Sequence, residues 1–194
     1  MPLALSLLGV LSLSQCKEST DSTATNLKPI EDFNGYQTLE EYGEHLVIIA
    51  GCHDCHTPKK MGPNGPEFDM DNALSGHPSS LPLPELDRKD LEQKGVAATQ
   101  TLTAWIGPWG ISFTGNITSD ETGIGLWTEE QFFTALREGK YKGLKNSRTL
   151  LPPMPWDMYK QMTDQEIKAV FAYLKSTKPI SNVVPNAVPP IGSM

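Results

Sequence analysis

The chain has 194 residues, with 23 acidic and 16 basic side chains and a formal net charge of −7. An acidic surface repels nucleic acid and anionic lipid head groups, so neither is an expected partner. The sequence holds no apolar run near the roughly twenty residues that a membrane-spanning helix needs, and its 3 cysteines are too few for a disulfide scaffold.

Residues 1–15 have the composition of an export signal. Residues 3–13 are mostly apolar and run to Cys16, after which the chain turns polar. This arrangement resembles a bacterial lipoprotein signal, which implies that Cys16 is lipidated and that the lipid alone attaches the protein to a membrane. No Lys or Arg precedes the apolar run and Gln15 stands where a small residue is usual, so an ordinary secretory signal is the alternative. With either signal we expect a protein of the periplasm or cell envelope, with a flexible tether over residues 16–37.

A first helix is predicted to begin at Thr38. Thr38 and Glu41 have the spacing of a capping box, and apolar residues follow at helical intervals for about three turns, up to Gly51. Gly43 lies inside this helix, at a cost of about 1 kcal/mol relative to Ala. It is either a tolerated imperfection or the point where another helix crosses closely.

The motif Cys52-His53-Asp54-Cys55-His56 follows this helix. Two cysteines three residues apart lie on one side of a helical turn, so both sulfurs can form thioethers with the two vinyl groups of one haem. A histidine directly after the second cysteine can swing beneath the ring and bind the iron. The spacing therefore predicts one covalent haem c on Cys52 and Cys55, with His56 as an iron ligand.

Three other sites are compatible with these residue types. A thioredoxin-like redox pair uses the same cysteine spacing, but it requires a βαβ context. A disulfide between Cys52 and Cys55 would be strained at so short a separation. A zinc site would need both cysteines together with two of His45, His53, His56 and His77. Because the motif follows a predicted helix and no second cysteine pair is present, the sequence favours haem.

Residues 57–113 predict a loop-rich insertion. Its first part is rich in Pro and Gly and is expected to be loop. Residues 87–94 predict one short helix closed by Gly95, and residues 97–106 and 111–114 predict a small β-hairpin over one haem edge.

No motif identifies the side chains that contact the haem propionates, so they are proposed from residue type alone. Trp105, Trp109, Arg137 and Arg148 are candidates. Ordinary packing for the two tryptophans and solvation for the two arginines are the alternatives.

Met154 is the favoured second axial ligand. It lies in Pro152-Pro153-Met154-Pro155, where the prolines exclude helix and stiffen an extended loop. His77 is the main alternative, and an open position is the third. The further candidates are Met61, Met70, Met158, Met162 and His45.

The second axial ligand decides the function. Met/His ligation raises the reduction potential and blocks small-molecule binding, which favours a one-electron carrier without catalytic residues. An open position would allow peroxidase or gas-sensing chemistry. The remaining alternative is a non-haem metal or thiol site in an interaction lipoprotein.

Two further helices are predicted after the insertion. Capping boxes at Thr128 and Thr163 begin them, Gly139 ends the first and Pro179 stops the second. We expect the last helix to pack against the first beside the haem. Residues 179–194 are expected to be a Pro-rich C-terminal tail.

Residues 38–178 resemble the bacterial class I cytochrome c fold, a mainly α fold with three or more short helices around one covalent haem. More narrowly, they are similar to single-haem domains in cytochrome subunits of periplasmic dehydrogenases and in dihaem cytochrome relatives. The resemblance implies haem on Cys52 and Cys55, with His56 as proximal and Met154 as distal ligand. It also implies a redox partner such as a dehydrogenase, an oxidase or another cytochrome. The resemblance rests on residues 51–57, 114–118, 121–128, 150–156 and 169–174.

Overall fold

The computed structural model describes residues 32–95 and 97–192, so the expected signal and Cys16 lie outside the described residues. The described part combines six α-helices with two small antiparallel sheets, and its content is therefore mixed helix and strand. No helix within residues 32–95 or 97–192 is long and apolar enough to cross a membrane. The elements are α1 (Leu39–Ile49), α2 (Cys52–His56), β1 (Lys59–Gly62), β2 (Gly65–Phe68), α3 (Arg88–Lys94), β3 (Ala97–Ala98), β4 (Ala104–Gly107), β5 (Gly110–Phe113), α4 (Glu129–Glu138), α5 (Trp156–Tyr159) and α6 (Asp164–Ser176).

The four helices predicted from capping and periodicity are confirmed. The capping boxes that begin α4 and α6 are complete, and α3 ends at Gly95 as expected. At α1, Thr38 Oγ1 accepts from Glu41 N at 3.1 Å, but Glu41 Oε2 accepts from Gln37 N at 3.0 Å. The Glu41 carboxylate therefore accepts from the backbone of Gln37 and not from that of Thr38, although the helix begins where it was predicted.

Helices α1 and α6 cross at Gly43. A Cβ at this position would overlap the backbone carbonyl of Ala169 in α6, so only glycine allows the two backbones to approach this closely. The close-crossing interpretation of Gly43 is thereby confirmed. The buried core around the crossing consists of Tyr42, Leu46, Val47, Leu74, Ile124, Phe132, Leu136, Ile167, Ala169, Val170 and Leu174.

The end of the expected tether lies against these two helices. The Tyr36 ring stacks on Tyr42 of α1 with 5.4 Å between ring centroids. On the α6 side, Gln165 Nε2 donates to the Asp32 carbonyl at 2.6 Å. Residues 32–37 therefore pack on the helical core.

The first part of the insertion is not only loop. Strands β1 and β2 pair in antiparallel fashion and close at Gly62 and Gly65, so the loop prediction for this part was wrong. Two residues, Pro63 and Asn64, connect the strands, and Pro in the second position of a turn with Gly in the fourth is a common turn sequence. The density of Pro and Gly obscured that signal.

The second hairpin forms with altered boundaries. Strands β4 and β5 pair from Ala104↔Phe113 to Gly107↔Gly110, which confirms the predicted hairpin. The single strand predicted over residues 97–106 is wrong, because the chain turns back on itself between β3 and β4. Thr101 Oγ1 lies 3.0 Å from Thr99 Oγ1 and 2.8 Å from Thr103 Oγ1, and these hydroxyl contacts stabilise the turn.

The C-terminal segment runs back across the insertion. Asn182 Nδ2 donates to the carbonyls of Ser75 and His77 at 2.7 and 2.8 Å. Farther along, Ile111 N donates to Val188 O at 2.8 Å and Val188 N donates to Ile111 O at 2.9 Å. These bonds hold the C-terminal segment against the insertion, and Val188 forms one bridge to β5 of the second sheet.

Candidate haem site

One large cavity brings the predicted site residues together. It measures about 640 Å³ and is lined mostly by apolar side chains. Cofactor pockets are usually of about 300–1,000 Å³ and mostly apolar, so its size and character fit a haem-sized group. Cys52, Cys55, His56 and Met154 all line this cavity, although Met154 lies far from the other three along the chain.

The cysteines lie on the single helical turn of α2, which contacts on both sides hold in place. Gly51 begins the turn with φ of 69°, a left-handed conformation that favours glycine. The Lys59 ammonium donates to the carbonyls of His53 and Thr57 at 3.3 and 3.0 Å and also to that of Asp54. A cation bound to the last carbonyls of a helical turn satisfies groups that otherwise have no partner.

The His56 ring is oriented for metal binding. Its Nδ1 donates to the Gly115 carbonyl at 2.8 Å, which places the proton on Nδ1 and leaves the lone pair of Nε2 free. Burial lowers the pKa of His56 to about 4, so the imidazole is neutral at physiological pH. Gly115 belongs to residues 114–118, one of the segments on which the cytochrome resemblance rests.

The two cysteines do not have the properties of the alternative sites. Burial raises the pKa of the Cys52 thiol to about 12 and also raises the pKa of Cys55, whereas redox-active thiols require a lowered pKa. The two thiols are free rather than joined in a disulfide. In the part of the chain that the structure describes, no three His, Cys, Asp or Glu side chains group closely enough to hold a metal ion. These observations favour neither the redox pair nor the zinc site.

Met154 lies on a loop held at several points. Leu150 N donates to Gly139 O at 2.6 Å, and Met154 N donates to Leu151 O at 3.3 Å. The loop then enters α5, where Tyr159 Oη donates to Ala50 O at 2.7 Å. This bond connects the Met154 side of the cavity to the residues immediately before the cysteines.

The other methionine candidates differ in position. Met61, Met70 and Met158 are 74%, 60% and 70% exposed, so none of them is a buried ligand. Met162 lines the same cavity as Met154 and packs against the core.

His77 serves the fold rather than the cavity. It is completely buried, and both ring nitrogens already have partners. Nε2 donates to Leu81 O at 3.2 Å, and Nδ1 accepts from Thr103 Oγ1 at 2.9 Å. His77 is not among the residues that line the cavity, so the structure does not support it as a second axial ligand.

Two of the four propionate candidates line the cavity. Trp105 and Arg148 do so, and the Arg148 guanidinium lies 3.9 Å from the centroid of the Tyr141 ring. Lys142, which the sequence analysis did not single out, adds a second cation.

The other two candidates have structural roles. Arg137 pairs with Asp164 at 2.7 Å and so ties α4 to the beginning of α6. Trp109 Nε1 donates to Ser112 Oγ at 3.1 Å, within the second hairpin.

One wall of the cavity, formed by the C-terminal segment, was not predicted from the sequence. Residues 183–187 line it, although a Pro-rich stretch near a C-terminus carries no periodic signal that would predict a packed segment. Ser112 and Tyr159 also line the cavity. Ser112 lies in the predicted hairpin, but nothing in the sequence indicated that its side chain lines the cavity.

Comparison with known proteins finds cytochrome subunits of dehydrogenases among the relatives, although no protein-family model matches the chain. The fructose dehydrogenase cytochrome subunit of Gluconobacter japonicus is 38% identical over 140 residues, which are 71% of this chain and 21% of the relative. The cytochrome c subunit of the quinone alcohol dehydrogenase of Gluconobacter oxydans is 36% identical over 147 residues, or 75% of this chain and 23% of the relative. The gluconate 2-dehydrogenase cytochrome c subunit of Pantoea cypripedii is 40% identical over 145 residues, or 74% of this chain and 24% of the relative.

The chain therefore spans about a fifth to a quarter of the length of these relatives. Over about three quarters of its own length, it is similar to the cytochrome c subunits of dehydrogenases.

Proposed function

We propose that the chain is a one-electron carrier with a single haem c. Cys52 and Cys55 would form the two thioethers, His56 would be the proximal ligand and Met154 the distal ligand. The observation that carries this proposal is that all four side chains line one apolar cavity of about 640 Å³. Bound there, haem c would accept and release one electron at a time.

The protein residues would bind and orient the cofactor without taking part in chemistry themselves. The Gly115 carbonyl holds the His56 ring with Nε2 free, and this contact would also increase the basicity of the ligand. Arg148 and Lys142 at the cavity supply positive charge for the two propionate carboxylates. The surrounding apolar side chains would exclude water from the iron.

The relatives support the carrier function. Three of them are named as cytochrome subunits of fructose, alcohol and gluconate dehydrogenases, and this likeness does not favour a peroxidase or a sensor. We propose accordingly that this chain accepts electrons from a dehydrogenase. With a net charge of −7, it would dock on a basic surface of its partner.

The proposed organisation follows the sequence expectations. Residues 1–15 would be the signal, with lipidated Cys16 anchoring the protein in the cell envelope. The tether predicted over residues 16–37 would be shorter by residues 32–37, because these pack on the helical core. Residues 38–178 would form a class I cytochrome c domain, with residues 57–113 as its insertion and residues 179–194 as its Pro-rich C-terminal segment. The single CxxCH motif supports one haem per chain.

Covalent attachment tests the proposal directly. We expect the chain, produced in a host with haem-attachment machinery, to gain the mass of one haem that survives denaturation. Cys52→Ala with Cys55→Ala should abolish this gain. Cys16→Ser is the matched control, because it removes the third cysteine and should leave the haem in place. A chain without haem, or a double variant that retains covalent haem, would contradict the assignment.

A further inference from the structure

The second hairpin of the insertion contacts the loop that carries Met154. Ser112, on β5, is 6% exposed, and its Oγ donates to the Pro152 carbonyl at 2.6 Å. Pro152 lies two residues before Met154, and Ser112 itself lines the cavity. A single hydroxyl thus joins the insertion to the proposed ligand loop.

The position of this hydroxyl is fixed from several directions. Ser112 pairs with Trp105 across β4 and β5. Its Oγ accepts from Trp109 Nε1 at 3.1 Å, which orients its own proton towards Pro152. The next residue back, Ile111, pairs with Val188 of the C-terminal segment. The donor therefore lies on a rigid element with bonds on both edges, which is the arrangement that holds a functional group most accurately.

We propose that Ser112 is a positioning residue for Met154, and that the insertion thereby controls how firmly the sixth ligand stays on the iron. The proposal rests on the proposed function, since it requires Met154 to be that ligand. Proline has no N–H with which to anchor the loop, so residues 152, 153 and 155 can be held by their carbonyls alone. Loss of the Ser112 bond would remove this restraint on the loop and let it move away from the cavity.

The test measures how easily an added ligand displaces Met154 in the haem-loaded ferric protein. Imidazole binding is followed by titration of the visible spectrum, and thermal unfolding is recorded for each variant. Ser112→Ala should raise the apparent imidazole affinity by about threefold to tenfold, which corresponds to one lost hydrogen bond. Ser112→Thr keeps the hydroxyl and should restore the wild-type affinity. Trp109→Phe removes the N–H that orients Ser112 together with one ring of the indole, but keeps the Ser112 hydroxyl, and should give a smaller increase.

Ser75→Ala is the matched control. Ser75 is 3% exposed and its Oγ donates to the Asn72 carbonyl at 2.9 Å, so the same type of bond is lost from an equally buried site away from the ligand loop. This variant should lower thermal stability without changing the imidazole affinity. An equal effect of both alanine variants on imidazole binding would overturn the proposal.

A second control separates this proposal from the proposed function. In a Met154→Ala background no thioether remains to be displaced, so adding Ser112→Ala should change the imidazole affinity no further. If Met154→Ala alone leaves the affinity unchanged, Met154 is not the ligand and both proposals fall. If Met154→Ala raises the affinity and Ser112→Ala does not, only the positioning role is wrong.

Discussion

The crossing of α1 and α6 makes Gly43→Ala a severe test of the fold. A Cβ at residue 43 would overlap the Ala169 carbonyl and would lie 2.8 Å from Tyr173 Cβ. Ala169 is fully buried, and a backbone carbonyl cannot rotate aside as a flexible side chain can. The two helices must therefore separate to admit one methyl group.

Two opposing terms set the size of the effect. Alanine favours a helix interior over glycine by about 1 kcal/mol. Overpacking of a close contact costs about 1–3 kcal/mol, and the rigid neighbour places this crossing at or above the upper end of that range. We expect a net loss of about 2 kcal/mol, or about 4–8 °C in Tm for a domain of this size.

Thermal unfolding of the haem-loaded protein measures this loss. Glu44→Ala is the control, because Glu44 is the exposed neighbour in the same helix and its loss should shift Tm by at most about 2 °C. A Gly43→Ala variant that melts at or above the wild-type temperature would refute the close crossing.

Three further predictions concern the site and its surroundings. Met154→Ala should keep its covalent haem but bind CO promptly in the reduced state; a variant that excludes CO would show that another group occupies the sixth position. Tyr159→Phe removes the 2.7 Å bond to Ala50 O and should cost about 1 kcal/mol in thermal unfolding, whereas an unchanged Tm would mean that this bond contributes nothing. Burial lowers the pKa of His77 below its ordinary value of 6.5, so the unfolded chain takes up the proton first. Its contribution to stability is therefore complete above pH 6.5 and declines as the pH falls below that value, by up to about 1.4 kcal/mol per pH unit. Denaturant unfolding between pH 5 and 7 should show that the free energy of unfolding falls more steeply with decreasing pH in the wild type than in His77→Gln. Equal slopes would contradict the lowered pKa of His77.

The helices were predictable because their signals are local. Thr128 and Thr163 bond within one turn, so four residues of sequence are enough to locate each helix start. The cysteines and His56 are likewise fixed by one short motif. Met154 could be singled out because its flanking prolines restrict the backbone independently of the rest of the fold.

Features that depend on contacts between distant residues were not predictable. Strand β5 forms a bridge to Val188, far along the chain, and no local pattern indicates that pairing. His77 was a credible ligand by residue type, and only its bonds to Thr103 and Leu81 show that both nitrogens are used. Gly43 remained ambiguous for the same reason, because its partner Ala169 lies on another helix.

The visible spectrum of the purified, haem-loaded chain shows whether both axial positions of the haem iron are filled. It should be recorded oxidised and reduced, before and after CO is added. We expect sharp reduced bands that CO does not change, because His56 and Met154 would occupy both axial positions. A colourless protein, or a reduced spectrum that shifts promptly with CO, would contradict it.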